Sequence, residues 1–177
     1  EHAGLELLLK ETASIDFLQI VLLGHGPLEK NLKNLSCKLN IQNRVFFDFL
    51  PEEEISFYLK DGTLAYNGVL DTSLSKKLSL PNKFFHYLHA GLPVLASRKL
   101  TEIQRFNTEY EVSCFFDPDS PKKKKKSILQ LLNDMNYYNL LKSNCSLASE
   151  KYCWNNETLK LIQLYQELLC KKNTDQI

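Results

Sequence analysis

Apolar and polar positions follow two rhythms along this chain: short unbroken apolar runs, and longer stretches in which apolar residues recur with the period of a helix. Residues 3–12 (AGLELLLKET) have the helical rhythm. Residues 17–23 (FLQIVLL) form a nearly continuous apolar run, which predicts a strand buried on both faces, and Gly24-His25-Gly26-Pro27 predicts a tight turn directly after it. Pro27 then fits the first turn of a helix whose apolar face is Leu28, Leu32, Leu35 and Leu39. Residues 44–49 read as a short strand. Pro51 followed by Glu52, Glu53 and Glu54 opens another helix, since proline suits its first turn and acids complement its positive end.

Residues 63–66 suggest a further strand, and the polar stretch 67–79 after it is long for a connection in a compact domain, a length more often functional than incidental. Pro81 begins a helix through Ala90 that Gly91 stops. A strand over 93–96, a short helix over 101–106 and a strand over 112–116 follow. From Ser120 the chain reads as helix, with breaks near Asn133 and Lys151.

Strands separated by helices predict an α/β fold, a Rossmann-like parallel sheet with helices on both faces, here with an all-helical C-terminal tail. Ligands of such sheets bind outside the carboxyl ends of the strands, where strand order reverses. That directs attention to the loops at 24–27, 47–51, 67–83 and 97–102. The 177 residues suit a single domain, and 44% hydrophobic with 24% charged residues is globular composition.

A formal net charge of +1 excludes a broad electrostatic commitment to nucleic acid. Five cysteines, an odd count without a C-x-x-C pair, read as reduced thiols rather than a disulfide frame or a zinc site. No apolar run is long enough to span a bilayer and no signal peptide is visible, so a cytoplasmic location is expected. The dinucleotide fingerprint G-x-G-x-x-G and the P-loop lysine motif are both absent, which counts against the corresponding nucleotide-binding classes.

Two constellations carry candidate chemistry. At Gly24 and Gly26 the backbone is able to approach a ligand closely, and the helix that follows offers free N–H groups to a phosphate; a plain strand-to-helix turn has the same sequence. In Ser79-Leu80-Pro81-Asn82-Lys83, the proline places Asn82 and Lys83 in the first turn of a helix. An ammonium group there joins a helix end that already attracts anions, a plausible seat for a diphosphate.

The segment LPNKFFHYLHAGLPVLAS (80–97) resembles the donor-binding segment of retaining glycosyltransferases of the large family-4-like group. IVLLGHGP (20–27), RVFFDFLPEEEISFYL (44–59), FFDPDSP (115–121) and YCWNNETLKLIQLYQELL (152–169) look like further elements of that family, so the resemblance covers nearly the whole chain. It implies the C-terminal, donor-binding half of a GT-B fold. The implied reaction moves a sugar from a nucleoside-diphosphate donor to a glycan or lipid-linked acceptor with retention, without a metal cofactor. Gly24 and Gly26 would lie beside the nucleotide-sugar, and Phe47, Asp48 and Phe49 would border the base. Ser79, Asn82 and Lys83 would face the diphosphate, with Thr101 and Glu102 lining the cleft. No catalytic residue is identified, and bacterial surface polysaccharide assembly is the setting the family suggests.

Three features depart from the family pattern. His86 stands where a glutamate usually holds the ribose hydroxyls, and neutral imidazole has one acceptor where a carboxylate has several. Leu78 stands where many relatives have a second acid, and Asp48 where glycine is common. A non-catalytic binding or scaffold module is therefore the competing reading. Relatives also have a strand before the first helix and an acceptor-binding N-terminal domain. The sequence is accordingly expected to be a fragment, inactive alone.

The lysine run Lys122–Lys126 reads as a solvated helix face or as a patch attracted to an anionic membrane surface. Tyr152, Trp154 and the face Leu159, Ile162, Leu164, Tyr165 and Leu168 read as core packing or, over 151–170, as a helix docking toward the missing domain.

Overall fold

The computed structural model describes residues 4–69 and 73–174. The chain runs α1 (Leu5–Thr12), β1 (Ile20–Leu23), α2 (Glu29–Lys38), β2 (Val45–Asp48), α3 (Glu52–Leu59), β3 (Ala65–Asn67) and α4 (Leu74–Lys77). It continues through α5 (Asn82–His89), β4 (Val94–Ser97), α6 (Thr101–Glu109), β5 (Ser113–Phe116), α7 (Pro121–Asn133), α8 (Met135–Lys151) and α9 (Trp154–Thr174). All strand pairing among the described residues is parallel. β1 pairs β2 with Ile20 opposite Val45, and β4 lies between β3 and β5 with Val94 opposite Ala65 and Ser113.

β4 is the centre of the core, buried at every position. The two-residue period of a strand sends its side chains to opposite faces. Val94 and Ala96 pack with Phe84 and Leu88 of α5, Ile103 and Phe106 of α6, and Cys145 and Ala148 of α8. Leu95 joins Phe116 and, from α7 and α8, Ile128, Leu131 and Leu141. A separate cluster, Leu9, Leu32, Ile41 and Val45, fastens α1 and α2 to the β1–β2 pair. Burial pushes the thiols of Cys114 and Cys145 up to about 12.

The structure departs from the sequence reading in four places. β1 covers only 20–23 of the expected 17–23, and Val21 is 46% exposed rather than buried on both faces, because among the described residues β1 has β2 as its one strand partner. Pro27 does not open a helix; the backbone turns there, with Glu29 N–H bonded to the Gly26 carbonyl, and α2 starts at Glu29. The connection 67–79 contains α4, capped by Ser73, whose Oγ accepts from Lys76 N–H at 3.3 Å. Residues 70–72 of that connection lie outside the described residues.

The fourth departure concerns the lysine run. Lys124 is not on a solvated face: it is 2% exposed, 3.0 Å from the Glu11 carboxylate, with its ammonium 4.5 Å from the centre of the Phe116 ring. Lys125 donates to Ser14 Oγ at 2.7 Å. Both lysines are therefore engaged with the α1 side of the molecule. The side chains of Lys122 and Lys123 lie outside the described residues. Among the described residues no helix is long and apolar enough to cross a membrane.

Candidate functional site

In a parallel α/β sheet each strand delivers the chain to the same edge, and the next helix starts there. The ends of β1 and β2 therefore share one edge of their pair, and the start of α6 and, after α4, the start of α5 follow the carboxyl ends of β4 and β3 in the triplet. Gly24 ends β1 at φ +129°, a conformation that only glycine adopts without strain, and its N–H bonds the Asp48 carbonyl at 2.9 Å. A Cβ added at Gly24 or Gly26 meets nothing within 4 Å, so it is conformation at Gly24, not crowding, that calls for glycine. Asp48 is exposed, and its Oδ1 accepts from Phe49 N–H at 2.8 Å. Across the two strand ends the His25 and Phe49 rings stack, centroids 4.3 Å apart and planes 18° from parallel. His25 was not singled out from sequence, since only the β1–β2 register brings it to Phe49.

The second group surrounds the amino end of α5. Pro81 holds an extended ψ of 150°, its carbonyl accepts Phe84 N–H at 2.8 Å, and no side chain caps the helix. The N–H groups of Asn82 and Lys83 thus have no partner in their own helix. Asn82 is exposed and Lys83 half-buried. Lys83 makes no ion pair among the described residues, and burial pulls its ammonium below the ordinary lysine value. His86, half-buried, lies one helical turn on from Asn82 and Lys83.

The connecting loop is fastened beside this end. Ser79 Oγ donates to the Lys76 carbonyl at 2.8 Å, and Thr101 Oγ1, in the first turn of α6, donates to the Lys77 carbonyl at 3.2 Å. Glu102 lies 3.8 Å from Arg105 of its own helix rather than against Lys83.

The sequence-derived residues thus fall into two groups. Ser79, Asn82, Lys83, His86 and Thr101 collect around the α5 end, while Gly24, Gly26 and Asp48 belong to the β1–β2 edge. What the first group offers is anion chemistry: unpaired backbone donors at a helix end, a hydroxyl and an unpaired ammonium on one surface. What the second offers is a flat aromatic surface and an exposed carboxylate. The apolar residues Leu159, Ile162, Leu164, Tyr165 and Leu168 of α9 are all exposed. Tyr152, ahead of that helix, packs against Phe106 and donates to Glu109 at 2.9 Å.

No protein-family model matches the chain, and no curated protein matches it in sequence. Solved structures do match in three dimensions. Sucrose-phosphate synthase from Thermosynechococcus elongatus superposes with a TM-score of 0.81 at 20% identity, over 96% of this chain and 43% of that one. The Anabaena protein Alr3699/HepE in complex with UDP gives 0.73 at 17% identity, over 96% and 45%. The catalytic domain of cholesterol-alpha-glucosyltransferase from Helicobacter pylori gives 0.68 at 21% identity, over 86% and 92%. The chain has the fold of the C-terminal half of a GT-B glycosyltransferase. The chain spans under half the length of the sucrose-phosphate synthase and the Anabaena protein.

Proposed function

We propose that the chain is the donor-binding half of a glycosyltransferase. It would hold a nucleoside-diphosphate sugar with the diphosphate against the amino end of α5. The observation that carries this reading is Lys83, a half-buried ammonium without an anionic partner among the described residues, beside an uncapped helix end. A buried unpaired charge is costly, and an anion placed there removes the cost while satisfying the free N–H groups. The Anabaena neighbour with UDP bound supports the class of ligand.

In the transfer, the bond between the sugar and the diphosphate breaks and negative charge grows on the leaving phosphate. Lys83 and the α5 N–H groups would stabilise that charge without a metal ion, and they act more strongly as it grows. Ser79 and Asn82 would position the phosphates. The stacked His25–Phe49 pair offers a flat surface that fits a nucleobase at the far side of the site. The acceptor, a glycan or lipid-linked sugar, would bind outside residues 1–177, and retention of configuration is part of the proposal.

His86 favours a second reading, a binding module without catalysis, because one imidazole acceptor holds a ribose diol less well than a carboxylate. Calorimetric titration with UDP, GDP and UDP-glucose tests the proposal. Saturable binding of at least one of them, unchanged by EDTA, is the expected result. Absence of binding for all of them at millimolar concentration sinks it.

A further inference from the structure

Asp48 is the last residue of β2, opposite Leu23 of β1. The bond from Gly24 N–H to its carbonyl fixes its main chain, and the bond from Phe49 N–H to Oδ1, at 2.8 Å, fixes its side chain. The carboxylate is thereby held against the main chain of the residue whose ring stacks on His25. Among the described residues it makes no ion pair, and its Oδ2 accepts no hydrogen bond. Glu29, which also borders the stacked rings, differs: its carboxylate lies 3.6 Å from His25 Nδ1 and accepts from Lys33 at 2.6 Å, so its charge is already answered.

The rings themselves are open to a ligand, with Phe49 58% and the His25 side chain 68% exposed. A flat aromatic surface takes any base, so selection among bases falls to the polar groups at its rim. An ionised carboxylate is an acceptor only, and the bases differ in what they offer it. Guanine presents N1–H and its N2 amino group side by side, two donors spaced for two carboxylate oxygens. Uracil presents one donor, N3–H, between two carbonyl oxygens that a negative charge repels. Adenine and cytosine present one amino group beside a ring nitrogen that is itself an acceptor. Oδ1 of Asp48 keeps a lone pair after accepting from Phe49, and Oδ2 has both of its own, so the two oxygens are able to take both guanine donors.

We propose that Asp48 selects guanine, so that the donor is a guanosine-diphosphate sugar. This rests on the donor-binding function proposed above, with the base on the His25–Phe49 surface. Guanine stacks on the exposed rings, its N1–H and N2–H donate to the Asp48 carboxylate, and the diphosphate occupies the amino end of α5. UDP shares the stack and the diphosphate but lacks the paired donors, so it binds the same site more weakly.

Calorimetric titration with GDP, inosine diphosphate, ADP and UDP, repeated on the Asp48→Asn variant, tests this. ADP keeps the stacking area of a purine without the paired donors, and inosine diphosphate keeps N1–H but lacks the amino group. Asparagine keeps an oxygen for Phe49 N–H and removes the charge. In the natural chain GDP should bind at least about 10-fold tighter than ADP or UDP, with inosine diphosphate between them. Asp48→Asn should lower GDP affinity about 10-fold, leave ADP within about twofold, and leave UDP unchanged or tighter. GDP binding no tighter than UDP and ADP overturns the selection by Asp48 and leaves the donor-binding function standing. An equal loss for all four nucleotides in the variant also overturns it, because Asp48 then acts on the strand ends rather than on the base. Absence of binding by every nucleotide removes the donor-binding function and this proposal together.

Discussion

Replacing Lys83 by methionine separates affinity from stability. Methionine keeps the unbranched apolar stem and removes the charge. In the free protein the ammonium is half-buried without an ion pair among the described residues, and desolvation holds its pKa below the ordinary lysine range. A lysine whose folded pKa is depressed disfavours the folded state while protonated. That penalty fades as pH rises through the depressed value toward the ordinary one. Lys83→Met therefore leaves the melting temperature at pH 7 unchanged or raises it, and its advantage over the natural chain shrinks in alkaline buffer. Affinity moves the other way. A charge-assisted hydrogen bond to phosphate contributes about 1.5–3 kcal/mol, so the variant loses about 10- to 150-fold in UDP affinity. Calorimetry and thermal melts at pH 7 and at alkaline pH read both quantities. A less than about twofold loss of affinity would refute the role given to Lys83. A melting temperature several degrees lower would make the residue structural instead.

Three further predictions concern other parts of the chain. His86→Glu restores acceptors for a ribose diol and should tighten UDP binding about 3- to 10-fold by calorimetry, whereas unchanged affinity means that the ribose lies elsewhere. Glu11→Gln leaves Lys124 buried without its anion and should cost about 3 kcal/mol in a denaturant melt, while Glu11→Leu with Lys124→Met should cost much less. Cys37, exposed, should react with a thiol reagent at pH 8 within minutes. Cys114 and Cys145, pushed up to about 12 by burial, should stay unreacted until the protein unfolds.

The order of helices and strands was legible because period and punctuation agree. Pro81 and Gly91 bracket α5, and the breaks near Asn133 and Lys151 fall where α7 and α8 end. α4 escaped notice because LSKK is too short and polar to show an apolar face. The burial of Lys124 was written in the sequence, since Lys124, Ile128 and Leu131 follow helical spacing onto the core face, but a run of like charges masks that signal. The split of the sheet was not legible from the apolar pattern, because β1 is as apolar as a central strand and only the pairing shows that, among the described residues, β2 is its one partner. Within the candidate site, the α5 end followed directly from Pro81, Asn82 and Lys83. The His25–Phe49 stack did not, because it joins residues from two strand ends.

The seat of a phosphate at the amino end of α5 is tested most directly by following backbone amide resonances during titration with UDP. The account predicts that the N–H signals of Asn82, Lys83 and Phe84 shift early and saturably, with those of Gly24 and Phe49 moving at the base side. Saturable binding that leaves the three α5 amides unmoved would contradict it.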